Sequence, residues 1–273
     1  MKTNEFIKNI TINPTNFKKG FLFCLYIDGI VFVFTLILSF FGISLGIIPQ
    51  LIYLTTVIIV AMMLGKEELR RILAWRDIPI GVFAAVLVMF FGLTIIRSEL
   101  SNLFQIVIPV PKGFFNHFIY EPDQFFLSVF VVALLPSFTE EIVFRGIIAR
   151  RFFKTYSPFK AIIFSALIFG IMHINPWQAT NSFIGGIFYG WLYWRYKSIW
   201  LCMFLHAYNN ILAVHFVFPY IIIENPNYID MWRHPVWFTV MGIFLFAVGV
   251  LGVIVMKGER KNVVRGLTRI GAD

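Results

Sequence analysis

Glu140, Glu141 and Arg145 stand close together in an otherwise apolar stretch, Thr139-Glu140-Glu141-Ile142-Val143-Phe144-Arg145. A charged side chain at mid-bilayer costs about 2.5–3.5 kcal/mol or more, so each one needs a reason. His173, His206, Asn209 and Asn210 add polar groups in later apolar stretches. Carboxylates, imidazoles and amides confined to an apolar setting suit hydrolysis of a peptide bond. Burial disfavours a carboxylate's charged form and makes it a stronger base. N–H donors aimed at a developing oxyanion supply much of the rate enhancement.

Helical spacing divides this cluster. Glu141 and Arg145 are four residues apart, acid first, which is the favourable order for an ion pair on one helix face. Glu140 points about 100° away. Arg145 can therefore neutralise Glu141 and leave Glu140 for other company, His173 and His206 being the candidates. His206 and Asn210 are also four apart and share a face. At 1.5 Å per residue, Glu140 lies about 15 Å in from Arg150 and His206 about 12 Å in from Ser198. His173 lies about 20 Å in from Pro158. These depths allow one layer near mid-membrane. Pro176 disfavours helix at Asn175, so the helix carrying His173 should end just beyond it. Pro136, four residues before Glu140, removes a backbone hydrogen bond and should kink its helix.

Plainer readings exist for each group. Glu141 and Arg145 could be a structural ion pair, and a lone histidine is usually a satisfied polar contact. Phe169 reads as packing beside the site. Asp28, alone in an earlier apolar run, could bind a polar group of a neighbouring helix and is given no catalytic role. His117, His215 and His234 are given none either. Glu140, Glu141, His173 and His206 offer donors suited to zinc. Against zinc, there is no HExxH pair, and Arg145 disfavours a cation. A cofactor-free, metal-free site is expected.

These groups need a membrane scaffold. Apolar residues make up 59% of the 273 residues and charged ones 14%, with a mean hydropathy of +0.81. Ordinary soluble domains hold roughly 45–50% and 25%. The expected fold is all-α, a polytopic membrane helix bundle of about eight transmembrane helices. Eight apolar runs are visible, at roughly 20–42, 46–65, 78–97, 124–150, 159–175, 180–195, 198–217 and 235–256. Most approach the ~20 residues that cross a ~30 Å hydrocarbon layer. Segment 1–19 is polar, 20–256 is the membrane domain with a core at about 124–217, and 257–273 is a basic tail. No removable signal peptide is expected, so the first span should direct insertion. Eight spans put nineteen Lys and Arg residues on the side of both termini and three, Arg97, Lys112 and Arg233, on the other. That bias makes both termini cytoplasmic.

The net charge of +9 lies in short clusters between apolar runs, which points to membrane lipid and not to nucleic acid as partner. Cys24 and Cys202 lie in apolar runs and read as buried packing. Stretches 98–123 and 218–234 read as long loops on the far side. Gly185, Gly186 and Gly190 give one helix a small-residue face for close packing.

Three motifs in order, Glu140-Glu141…Arg145, Phe169…His173 and His206…Asn210, resemble the CAAX protease and bacteriocin-processing (Abi) family, which includes the type II CAAX prenyl endopeptidases. The motifs span roughly 70 residues, and the eight-span layout extends the likeness loosely to the whole chain. The resemblance implies an intramembrane endopeptidase. Glu140 would activate water and His173 would help hold it. His206 and Asn210 would stabilise the oxyanion, with Glu141 and Arg145 orienting and balancing charge. The substrate would be a membrane-associated peptide or protein, prenylated or of bacteriocin type. A bacterial or archaeal plasma membrane is the expected location. Two other classes compete: a non-catalytic scaffold or bacteriocin self-immunity factor on the same fold, and a proton-coupled transporter. No inverted repeat favours the transporter.

Overall fold

The computed structural model describes residues 14–41, 48–63, 65–73, 76–111, 125–213 and 235–270. Side chains at 39, 48–50, 61, 63 and 257–270 are outside that description. All the regular elements among the described residues are helical. They are α1 (Phe17–Phe40), α2 (Ile48–Met63), α3 (Lys66–Leu73), α4 (Ile80–Val107), α5 (Phe125–Thr155), α6 (Pro158–Ile171), α7 (Pro176–Tyr196), α8 (Ile199–Leu212) and α9 (Val236–Ile270). A helix occupies each of the eight apolar runs. By length and composition α1, α4, α5 and α9 can each cross a bilayer, and α2, α6 and α8 hold shorter apolar stretches. His117, His215, His234 and the stretch 218–234 lie outside the described residues.

Two compact units emerge. In one, α4 packs along α9. Glycines make that approach possible: a Cβ on Gly92 would strike the backbone of Phe246, and one on Gly249 the backbone of Met89. The expected loop from residue 98 begins later than the charges suggested, because α4 continues to Val107. Nothing between Arg97 and Pro109 breaks a helix. Asn102 and Arg97 are buried, and Asn102 donates to Glu99 one turn back at 3.3 Å. Asn102 and Glu99, two of the polar groups that closed the apolar window, thus pair within the helix.

The other unit holds α1–α3 and α5–α8. Its central element is α5, buried on all sides from Glu141 to Ala149. Around it pack α2, α3, α6, α7 and α8, and α6 lies along α7. Gly186 and Gly190 form the close seam between those two. A Cβ on Gly186 would sit 3.0 Å from Ala166, and one on Gly190 3.3 Å from Ile162. Ser198 caps α8 by accepting from Leu201 N–H at 3.3 Å. At the ends of the helices Arg150 meets Glu68 at 3.3 Å, and Trp200 Nε1 donates to the Leu73 carbonyl at 2.9 Å.

Candidate active site

Glu140 and Glu141 sit in the middle of α5, a helix that widens twice. Residues Val129–Leu134 and Ile142–Ala149 run in π-type turns on either side of an α-helical piece, Leu135–Glu141. Such bulges accompany an interrupted hydrogen-bond ladder. The first has a visible local cause. Pro136 has no N–H, so the carbonyl four residues earlier, on Val132, lacks its usual helical donor. Asn210 of α8 supplies one, its Nδ2 donating to the Val132 carbonyl at 3.3 Å. Asn209 Nδ2 donates to Asn210 Oδ1 at 3.3 Å and so fixes which way the amide faces.

The two glutamates separate as adjacent helical residues must. Glu141 is fully buried, whereas Glu140 keeps 23% of its side chain exposed. Glu141 Oε1 takes two charge-assisted contacts. Arg145 Nη1 donates to it at 2.9 Å, and His206 Nδ1 lies 2.9 Å away. A carboxylate only accepts, so Nδ1 of His206 carries the proton there. The other ring nitrogen, Nε2, then faces Glu140 Oε2 at 3.8 Å. His206 thus bridges the pair, which the spacing argument had divided between Arg145 and the histidines.

Aromatic rings hold this arrangement. Tyr189 stacks on His206 with centroids 5.3 Å apart and planes at 19°. Phe169 lies edge-on to His206 and His173, and its face receives the Arg145 guanidinium at 4.7 Å. Arg145 Nη2 also donates to the Gly186 carbonyl at 3.2 Å, a contact open because that residue has no side chain. Phe169 is buried packing, as its position suggested.

His173 lies beyond the helix that was expected to carry it. The helix α6 ends at Ile171, and residues 172–175 form a turn. The cause is Asn175, which adopts an extended backbone and caps α7 by accepting from Gln178 N–H at 2.8 Å. Ile174, 90% exposed, adopts φ 64°, a left-handed conformation unusual for a β-branched residue. His173 Nδ1 donates to the Phe169 carbonyl at 2.8 Å, which leaves Nε2 as the acceptor in a neutral ring.

A cavity of about 270 Å³ opens at Glu140. His173, Pro136 and Thr139 line it, together with Asp28 and Cys24 of α1 and Tyr53 of α2. Asp28 and Tyr53 join the site only in three dimensions. A charge in an apolar run marked Asp28, but nothing in the sequence marked Tyr53 or Tyr189. No group of three or more His, Cys, Asp or Glu side chains able to hold a metal occurs among the described residues.

Residues 122–212 match the family model for Rce1-like type II CAAX prenyl endopeptidases. The chain is also 32% identical over 88 residues to a Bacillus subtilis (strain 168) protein described as "Putative membrane peptidase YdiL". That alignment covers 32% of this chain and 36% of the relative, so the chain spans about a third of the relative's length. No solved structure matches. The apolar helices make the chain an integral membrane protein. Every residue of the Glu141–Arg145–His206 network, with Glu140, His173 and Asn210, falls inside the segment, residues 122–212, that is similar to the Rce1-like type II CAAX prenyl endopeptidases.

Proposed function

We propose that the chain is an intramembrane endopeptidase that hydrolyses its substrate with a water activated by Glu140. The observation that carries this reading is the orientation of His206. Its Nδ1 is committed to Glu141 at 2.9 Å, so Nε2 is presented to Glu140 at 3.8 Å beside an open cavity. A carboxylate base and an imidazole thus meet from two different helices; Glu140 and His173 line the cavity, and His206 and Asn210 are not part of that lining.

Glu140 takes a proton from the water as its oxygen attacks the scissile carbonyl carbon. His173 accepts the second water proton in a hydrogen bond at Nε2 and holds the nucleophile. The negative oxygen of the tetrahedral intermediate is met by His206, protonated at Nε2 and balanced by Glu141 behind it. Asn210 uses one N–H on the Val132 carbonyl and has a second for the oxyanion. Such donors are fixed before the reaction and cost no reorganisation during it. The substrate is a membrane-associated peptide or protein, prenylated or of bacteriocin type, and no cofactor takes part. The setting is a bacterial or archaeal plasma membrane with both termini in the cytoplasm.

Cleavage of membrane-anchored peptides by the purified chain tests this reading. Wild type should cleave, and Glu140→Gln and Glu140→Ala should not. Activity that survives a strong chelator supports the metal-free route, and activity abolished by it and restored by zinc opposes that route. A scaffold or immunity protein would keep its biological effect in both Glu140 variants.

A further inference from the structure

Asp28 is an ionisable group in an apolar helix that makes no hydrogen bond or ion pair among the described residues, and it lies outside the segment that matches the endopeptidase family. It lines the same cavity as Glu140 and His173. Cys24 of α1 and Tyr53 of α2 also face that space. We propose that Asp28 is a second catalytic carboxyl, the acid that protonates the leaving amine while Glu140 serves as base. This rests on the hydrolase reading above.

The physical argument is charge economy. Two carboxylates facing one small apolar cavity repel when both are charged, and the pair is most stable holding one proton. The cavity, at about 270 Å³, spans only a few side chains. The two sites differ in what else is present. Glu140 has the His206 imidazole at 3.8 Å. Asp28 shares the cavity lining with Cys24, one turn away on its own helix, with Tyr53 of α2 and with His173. In this assignment Asp28 carries the shared proton and Glu140 is the base.

The step balances. The attacking water gives one proton to Glu140 as the C–O bond forms. Asp28 gives its proton to the amide nitrogen as the C–N bond breaks, which releases a neutral amine. The new carboxylic acid returns a proton to Asp28, and Glu140 passes its own to the amine. Both residues end as they began, and no further reactant is needed.

An amide leaving group needs that proton and an activated ester does not. The test uses the full chain in lipid nanodiscs with a panel of lipid-anchored quenched peptides, each made as the amide and as the p-nitrophenyl ester. Asp28→Asn should lower kcat for the amide roughly 100-fold or more, in the range of general acid catalysis, with KM little changed. Its ester cleavage should fall less than about threefold, and the alkaline limb of the amide pH profile should disappear. Asp28→Glu, which retains the acid, should recover at least a tenth of amide activity. Infrared spectra of substrate-free wild type should show a protonated-carboxyl band that Asp28→Asn removes. Unchanged amide cleavage in a folded Asp28→Asn protein overturns the inference, as does parallel loss of amide and ester cleavage. If Asp28→Asn fails to fold, the Asp28→Glu rates and the wild-type infrared band decide. Failure of wild type on the entire panel overturns the hydrolase reading and this inference together.

Discussion

Nδ1 of His206 lies 2.9 Å from Oε1 of Glu141, across a sequence separation of 65 residues. The same oxygen is 2.9 Å from Arg145 Nη1. One buried carboxylate thus fixes an arginine on its own helix and a histidine on another. Its neighbour, Glu140, remains beside the cavity with the other imidazole nitrogen 3.8 Å away.

Glu141→Gln should be costly for that reason. It leaves Arg145, 1% exposed, without its counter-charge. Removing one partner of a buried pair costs about 3–5 kcal/mol. Thermal unfolding in detergent should show the loss. Glu141→Leu combined with Arg145→Met should recover much of the stability, because an apolar replacement of both charges is well tolerated. Cleavage should not recover, since His206 is then unanchored. Equal recovery of both properties would contradict the orienting role.

Asn210 and Pro136 should be energetically coupled. Asn210→Ala strands the Val132 carbonyl, at a cost of about 1–3 kcal/mol. Adding Pro136→Ala restores a backbone N–H at the position where the helix lacks one, so the double variant should unfold close to the stability of Pro136→Ala alone. Its cleavage rate should stay low if the second amide N–H of Asn210 meets the oxyanion. A stability cycle with no coupling would show that the 3.3 Å contact is incidental.

Gly186→Val should loosen the seam of α6 and α7. Even a single Cβ there comes within 3.0 Å of Ala166, and the same residue's carbonyl receives Arg145. Overpacking of this kind costs about 1–3 kcal/mol. A melting curve coincident with wild type would contradict the close packing.

Membrane sidedness can be read with single cysteines, because native Cys24 and Cys202 are buried and should label slowly. Lys261→Cys should react with a membrane-impermeant maleimide only from the cytoplasmic side, and Lys112→Cys only from the opposite side. The reverse pattern would invert the topology.

How much of this was legible beforehand differs from group to group. Arg145 and Glu141 were legible because helical spacing alone puts them on one face. The expense of charge in an apolar run marked Glu140, Glu141, Arg145 and Asp28 as needing partners. It did not say which partners. That His206 would take Glu141 by one nitrogen and look toward Glu140 with the other is set by the packing of α8 on α5, which no spacing within either helix records. The end of α6 was misplaced by a few residues because the Asn175 cap, a local hydrogen bond, outweighed the reach implied by Pro176. The extension of α4 to Val107 was missed because hydropathy fell at Arg97 and Glu99 while the backbone had no reason to stop. The first π-type stretch of α5, Val129–Leu134, follows from Pro136 only once Asn210 is seen to cap Val132.

The most direct measurement is cleavage of a lipid-anchored peptide by wild type and by Glu140→Gln, a change that keeps the shape of the side chain and removes its basicity. In reconstituted bilayers the variant should lose at least about 100-fold in kcat while unfolding at the wild-type temperature. A folded Glu140→Gln protein that cleaves at the wild-type rate would contradict the account.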